Sequence, residues 1–481
     1  MKIIFSTPDY KQLKNVAAVV LTVLFLFSST ITISIPLGLS RSGYLDLYWS
    51  ELVIMLMVPF FILSLIKSRQ HMTKSGMLLA FCIGVFVVNF VTVEAIRFSR
   101  GDDVLQSLLA VRVLVSGLIL TGVYVQYFRN YWKPILVGLL IFGLALNVHQ
   151  VPSWNNIRMS GYLGNSFVFA LISSAMIPVG YYVILRLNDF KNRKVVGFLS
   201  AAVISFGYVF PIWSGSRILI LIVALLVILG VMLAIYHKRM LSRSAFIAAP
   251  VFIALLVHSV VWLYNPLDAA MGFYRFVPTP DRILRIEHNK KTIDDESVAD
   301  PVVSHPSPDD SAASPAAIQQ PVKTPTQTSA PTIGNDSVGV VSTELKKSDD
   351  ARSQLMKSSL DSIKEDPIVG KGQLYYSFDN DYGVREQSAH NFVLEYINAF
   401  GIIGFISFII AICTVIYKIH SRRNIPEFIL VLGVVGAIVV ASLFQPSMLI
   451  VPISVVMYVA IATAWSSAMQ HRSRVWATKE S

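Results

Sequence analysis

Charged residues are scarce in this chain of 481 residues, at 14% of the composition, whereas a soluble domain carries roughly 25%. Hydrophobic residues make up 54%, and the mean hydropathy is +0.60. These values exclude an ordinary soluble globular domain. Most of the chain must have lipid rather than water as its solvent.

Cysteine is nearly absent, because the chain contains only Cys82 and Cys413, each within a long apolar run. Two such residues exclude a disulfide framework or a cysteine metal cluster, and we interpret both as small buried hydrophobic residues. The sequence also lacks a Walker loop, a dinucleotide-binding glycine pattern, a His-Glu-x-x-His motif and clustered carboxylates. ATP-driven and metal-driven chemistry are therefore not expected, and we predict no metal and no cofactor.

The net charge of +11 does not indicate nucleic-acid binding, because the lysines and arginines form short clusters between apolar runs. About 20 apolar residues cross a hydrocarbon core of roughly 30 Å. Twelve candidate runs centre near residues 26, 56, 86, 116, 141, 175, 204, 227, 255, 405, 435 and 457. The first run lacks a clear cleavage site and is interpreted as a retained helix. The predicted fold class is an all-α polytopic membrane protein with about twelve transmembrane helices.

Orientation follows from the positive charges in the short connections, since Lys and Arg concentrate on the cytoplasmic side. With the N-terminus inside, the inner segments carry Lys67, Arg69, Lys74, Arg129, Lys133, Arg186, Lys191, Arg193, Lys194, Lys238, Arg239, Arg243, Lys418, Arg422, Arg423, Arg472, Arg474 and Lys479. The short outer segments carry only Arg41, Arg97, Arg100, Arg158 and Arg217. We predict an inner-membrane protein with both termini in the cytoplasm and its active face in the periplasm.

This topology divides the chain into three parts. Residues 1–264 contain the first nine spans, residues 265–389 form a large periplasmic loop, and residues 390–481 contain the last three spans and a cytoplasmic tail. The loop includes a stretch of low complexity at about 296–350, which we predict to be disordered. Its flanks, 268–288 and 351–376, carry apolar residues at roughly helical spacing and predict short helices at the membrane surface.

Ionisable residues at membrane depth are costly, and three of them lie towards the outer side. Glu51 opens the second span, Glu94 closes the third, and Arg112 lies about two turns into the fourth. They fit either a structural Glu–Arg pair that locks helices together or, for Arg112, contact with a substrate.

Polar residues at the outer ends of other spans suit an anion. The segment 158–165 enters the sixth span with Arg158, two glycines and Asn165, which allows close backbone approach to a ligand. Arg217 enters the eighth span, where the N-terminal end of a helix already presents positive partial charge. The alternative for Arg217 is contact with lipid phosphates alone.

Further cations lie in the long loop, and a histidine follows them. Arginine suits bidentate phosphate recognition, and the loop arginines near the membrane are Arg275, Arg282, Arg285 and Arg352. His390 and Asn391 then begin the tenth span, which continues with Glu395 and the glycines Gly401 and Gly404. A histidine at a helix start is often only a cap, but among outward arginines it also suits proton transfer near neutral pH.

Four segments in this order resemble the O-antigen ligase and polymerase superfamily. They are residues 158–165, 214–217, 365–372 and 390–404. The resemblance covers roughly residues 155–410 and implies a fold like that of GT-C glycosyltransferases. It also implies glycan transfer at the outer face, from an undecaprenyl-pyrophosphate-linked donor to a hydroxyl of a glycan or lipid A–core acceptor, without metal or nucleotide sugar.

The resemblance further implies roles for individual residues. Arg217 would hold the pyrophosphate, and His390 would orient or deprotonate the attacking hydroxyl. The second catalytic arginine would be one of Arg282, Arg285 and Arg352 in the loop, of which Arg352 is the closest match. The residues expected to bind substrate are Arg112, Arg158, Asn165, Arg282, Arg285 and Asn391. The sequence departs from the superfamily pattern in the insert at 296–350 and in Ser166, where proline is common.

Two choices stay open at this stage. Within the superfamily, a ligase transfers a finished glycan and a polymerase joins repeat units, and the motif order favours a ligase only slightly. Outside it, a transporter or flippase of lipid-linked oligosaccharide also has about twelve helices and a basic cavity. The charges here gather at the outer face and the motifs lie in one half of the chain, which favours the transferase.

Overall fold

Long apolar helices form most of the described chain. The computed structural model describes residues 10–36, 44–68, 74–100, 105–150, 166–213, 216–236, 353–372, 375–380, 383–388, 391–420, 425–444 and 450–480. The helices are α1 (Tyr10–Ser28), α2 (Trp49–Ser68), α3 (Lys74–Arg100), α4 (Leu105–Tyr127), α5 (Trp132–Gln150), α6 (Ser166–Leu185), α7 (Arg193–Trp213), α8 (Arg217–Tyr236), α9 (353–365), α10 (Phe392–His420), α11 (Ile425–Ser442) and α12 (Val451–Glu480). Two antiparallel hairpins join β1 (Thr32–Pro36) to β2 (Tyr44–Tyr48) and β3 (Tyr375–Asn380) to β4 (Gly383–Ser388).

The predicted class of an all-α polytopic membrane protein is confirmed, whereas the count of about twelve spans stays a prediction. Eight helices in the described part of the chain are long and apolar enough to cross a membrane, and α1, α4 and α8 contain shorter apolar stretches. Every predicted centre falls inside one of these helices except that near residue 255, which lies outside the described residues. The two short hairpins are additions that the apolar runs did not predict.

Burial separates the central helices from those that face lipid. In α6, 94% of the membrane-length segment is buried, against 22% in α2 and 28% in α3. The large exposed side chains of α2 and α3 are apolar, among them Leu56 and Phe81, as expected of surfaces that contact lipid. Cys82 is buried as predicted, but Cys413 is exposed on α10, so its predicted burial is wrong. An exposed side chain on a lipid-facing helix still lies in an apolar environment.

Polar contacts between segments far apart in sequence lie on one face of the bundle. Trp132 Nε1 donates to Gln470 Oε1 over 2.9 Å, which joins the start of α5 to α12. Lys133 Nζ donates to the carbonyl of Asp189, which follows α6. Arg186 forms an ion pair with Glu427 in the first turn of α11. Lys133 and Arg186, both predicted to lie inside, therefore share one face.

The structure describes one of the two predicted helical flanks of the long loop and not the other. Residues 353–365 form the helix α9, which is shorter than the predicted 351–376. It ends at 365 because Asp366 precedes Pro367, and the residue before a proline avoids helical backbone angles. The other flank, 268–288, and the insert at 296–350 lie outside the described residues.

Candidate functional site

The helix α10 is interrupted at Gly401. This residue has φ 64° and ψ −179°, a backbone conformation that is essentially restricted to glycine. The interruption stops the regular i to i−4 hydrogen bonds and frees amide and carbonyl groups on both sides. At membrane depth such groups must find partners within the protein, because lipid offers none.

Residues 366–372, which we call the docking loop, supply these partners. Before the break, the amides of Lys371 and Gly372 donate to the carbonyls of Asn398 and Ala399, at 2.6 and 3.0 Å. After the break, the amides of Ile402 and Ile403 donate to the carbonyls of Pro367 and Ile368, at 2.9 and 3.3 Å. The docking loop and the interrupted helix thus complete each other's hydrogen bonding.

The close approach of these two backbones requires a second glycine, in the docking loop. Gly370 has φ 87°, and a Cβ atom there would meet the backbone of Phe400 at 2.8 Å and would come still closer to the amide nitrogen of Gly401. A Cβ atom on Gly401 would in turn overlap the backbone of Ile368. Neither position has room for a side chain, because the neighbouring atoms belong to backbone.

Helix α3 holds this arrangement from the side. Asn89 Nδ2 donates to the carbonyl of Phe400 at 2.6 Å and to that of Val369 at 3.3 Å. Arg97 Nη1 donates to the carbonyl of Gly372 at 2.9 Å. Asn89 and Arg97 are both buried. We call the docking loop, the break at Gly401 and these two side chains the interlock.

Helix α9 is tied to the same place. Ser362 Oγ donates to Asn398 Oδ1 at 2.7 Å, and Lys371 forms an ion pair with Glu365 at the end of α9. Ser359 is fully buried, so α9 packs against the protein along one face. On its exposed face, a hydrogen bond from Lys364 lowers the pKa of the Asp361 carboxyl.

The structure therefore brings together two of the four superfamily segments, 365–372 and 390–404. Asn391 precedes α10, and its side-chain oxygen accepts hydrogen bonds from the amides of Val393 and Leu394 at 3.0 and 3.3 Å. It is an N-cap, and its predicted contact with substrate stays a prediction.

The structure describes the other predicted site residues only partly or not at all. Arg217 is the first residue of α8, as expected, and its side chain lies outside the described part. Seven further residues named from the sequence lie outside the described residues, namely His390, Arg352, Arg158, Asn165, Arg282, Arg285 and Arg275.

Arg112 forms an ion pair with Glu51, with Nε and Oε1 3.4 Å apart, which joins α4 to α2. Glu51 is 3% exposed, and its Oε2 also accepts a hydrogen bond from the amide of Tyr48. Glu94 is not part of this pair, and its buried carboxylate oxygens have no hydrogen-bond partner among the described residues. The interpretation of a structural Glu–Arg pair is thus confirmed for Glu51, whereas contact of Arg112 with a substrate stays a prediction.

Replacing Arg112 by Gln should lower the free energy of unfolding by about 2–3 kcal/mol, because it leaves Glu51 buried without its cation. The cost should fall below that of a fully buried pair, since 24% of the Arg112 side chain is exposed. The double variant E51Q/R112Q should recover much of the loss in a thermal-unfolding assay in detergent. Equal melting temperatures for R112Q and the wild type would contradict this role.

Asn89 and Arg97 were missed as site residues by sequence reasoning. Arg97 was counted only as a charge in a short outer connection, and Asn89 received no role. A signal was present for Asn89, because an amide within the apolar run 85–93 is a polar residue at membrane depth.

Comparison with known protein families places the docking loop and the break at Gly401 within a recognised region. Residues 202–409 match the model of the family described as O-antigen ligase. The matched region starts within α7, includes Arg217, the docking loop and His390, and ends within α10 after the break. Asn89 and Arg97 precede it. No curated protein matches the chain.

Proposed function

We propose that this polytopic membrane protein is a member of the O-antigen ligase and polymerase superfamily that catalyses a specific glycosyl transfer, which the match of residues 202–409 to the O-antigen ligase family supports. The donor is a glycan on undecaprenyl pyrophosphate, and the acceptor is a hydroxyl of a glycan or of a lipid A–core at the periplasmic face. The observation that carries the proposal is that one matched region contains Arg217, the docking loop and His390.

The proposed reaction needs a cation to stabilise the leaving group and a base to accept the proton of the acceptor hydroxyl. The bond between the anomeric carbon and the pyrophosphate oxygen breaks, so negative charge develops on the leaving group. Arg217 is the first residue of α8, and the unpaired amides of a helix start add positive partial charge there. Such fixed groups stabilise the leaving pyrophosphate. His390 accepts the proton of the acceptor hydroxyl as the new glycosidic bond forms.

A role for the loop arginine Arg352 is supported by the position of α9. Arg352 immediately precedes this helix in sequence, and the interlock fixes the other end of α9 to α10. This arrangement supports Arg352 as the second cation for the pyrophosphate. The periplasmic assignment rests on the charge distribution along the chain, with the interlock on the less basic side.

The proposal is tested by complementing a deletion strain and resolving its surface polysaccharide on gels. R217A should lower transfer by about 100-fold or more, as for loss of a donor to a developing anion. H390A should lower it by roughly 100-fold to 10,000-fold, as for loss of a general base. K364A is the matched control, since Lys364 is an exposed cation on α9, and it should restore wild-type polysaccharide.

The lipid-linked material that accumulates in the deletion strain distinguishes the remaining possibilities. Full-length glycan on the carrier at the outer face indicates a ligase, and single repeat units there indicate a polymerase. Lipid-linked glycan trapped at the cytoplasmic face would contradict the proposal and indicate a flippase. Wild-type polysaccharide in both R217A and H390A would overturn the assigned site.

A further inference from the structure

One face of α3 is built to hold the interlock. Asn89, Val93 and Arg97 are spaced four residues apart, so they lie along the same side of this helix. All three are buried, although α3 is otherwise among the least buried helices of the described part. Asn89 and Arg97 donate hydrogen bonds to backbone carbonyls 275 or more residues away in sequence. This face lies in a part of the chain that the family match does not cover.

Asn89 is the central contact of this face. Its amide group carries two hydrogens, and it donates to Phe400 in α10 and to Val369 in the docking loop. The docking loop and α10 are thereby tied to each other and to α3. A carboxylate of the same shape could not replace this amide, because it has no hydrogen to donate and would repel both carbonyl oxygens.

The two segments that Asn89 joins lead to the two sides of the proposed transfer site. From the docking loop, α9 runs back to its first residue, directly after Arg352. From the break, α10 runs back to its N-cap Asn391, directly after His390. Helices are stiff over such lengths of about 10–20 Å, so a shift at the interlock is carried to both ends.

From this geometry we infer that Asn89 is a positioning residue for the glycosyl transfer, and that it sets the placement of the start of α9, which follows Arg352 in sequence, relative to Asn391 at the start of α10, which follows His390. The inference rests on the proposed function. Asn89 does not contact the reacting atoms itself. Its effect on catalysis arises because misplacement by about 1 Å costs on the order of 100-fold in rate.

The test compares N89D with the wild type in proteoliposomes, with lipid-linked glycan extracted from the deletion strain as donor. Turnover is expressed per folded molecule, measured by fluorescence-detected size exclusion. N89D should lose about 10-fold to 100-fold in turnover, with KM for the donor largely unchanged. The matched control is T92V, because Thr92 is exposed on α3 and its hydroxyl donates, among the described residues, only to the carbonyl of Val88 in its own helix. T92V should keep wild-type turnover.

A second measurement reports on the interlock independently of enzyme activity. Trypsin cleavage after Lys371, mapped by mass spectrometry, should be slow in the wild type and in H390A and clearly faster in N89D. Lys371 is held by its amide hydrogen bond to Asn398 and by its ion pair with Glu365, so cleavage there requires release of the docking loop.

The outcomes separate this inference from the proposed function. Wild-type turnover per folded molecule in N89D, with H390A inactive, would show that Asn89 serves stability alone and would overturn only the inference. Full activity of H390A would overturn the proposed function and the inference with it. If N89D does not fold, the same measurement is made on N89S, whose hydroxyl can donate only one hydrogen. N89S should then show reduced turnover, and a wild-type value would overturn the inference.

Discussion

Replacing Gly401 by Ala should remove most of the folded protein and, with it, the transferase activity. A residue with a Cβ atom at φ 64° and ψ −179° is strained by roughly 1–3 kcal/mol. The added methyl group would also overlap the backbone of Ile368 and come within 2.5 Å of the carbonyl carbon of Val369. Backbone atoms cannot move aside as a flexible side chain can. We therefore expect a total loss of about 3 kcal/mol or more in the free energy of unfolding.

The measurement for G401A is the melting temperature and the monodisperse yield in detergent, compared with two matched glycine variants. Gly84 in α3 and Gly436 in α11 have no atoms within 4 Å of an added Cβ. G84A and G436A should therefore stay within about 1 kcal/mol of the wild type, since alanine is also the better helix former. A melting temperature of G401A equal to those of G84A and G436A would contradict the strained break.

The apolar runs of the sequence predicted the helices well, because crossing a membrane constrains length and composition strongly. The break in α10 could not be predicted in the same way. Gly401 lies between Phe400 and Ile402 in a continuous apolar run, and glycines are tolerated in transmembrane helices. The docking loop and Asn89, which both lie outside this run, make the interrupted backbone stable.

The candidate site was predictable in part, for a similar reason. The segments 365–372 and 390–404 were recognised separately, by their resemblance to the superfamily, but their interlocking depends on tertiary contacts. A structural Glu–Arg pair was predicted as one of two alternatives, because charges at membrane depth need partners, and the structure shows that Glu51 is the partner of Arg112. Arg97 was misjudged, since a charge near the end of a span resembles any other topology signal until its partner is known.

The second large effect on stability is expected from replacing Glu427, which lies on the opposite side of the bundle. Its carboxylate is fully buried at the start of α11 and accepts hydrogen bonds from Arg186, Tyr182 and Ser467, at 2.8–3.1 Å. E427A should lower the free energy of unfolding by about 3–5 kcal/mol. It removes the nearer anion of Arg186 and the acceptor of the Tyr182 and Ser467 hydroxyls, and it leaves the guanidinium only the Asp189 carboxylate, 3.9 Å away. E427Q should cost less, since its oxygen still accepts from Tyr182 and Ser467. Thermal unfolding in detergent measures both.

The control for E427A is D361A, which removes the exposed ion pair with Lys364 and should leave the melting temperature close to that of the wild type. A melting temperature of E427A close to that of D361A would contradict the stabilising role of the Glu427 network. Below its melting temperature, E427A should keep wild-type turnover per folded molecule, because this network touches neither the docking loop nor the break at Gly401. A lost contact in the Glu427 network thus lowers stability alone, whereas a lost contact in the interlock lowers turnover as well.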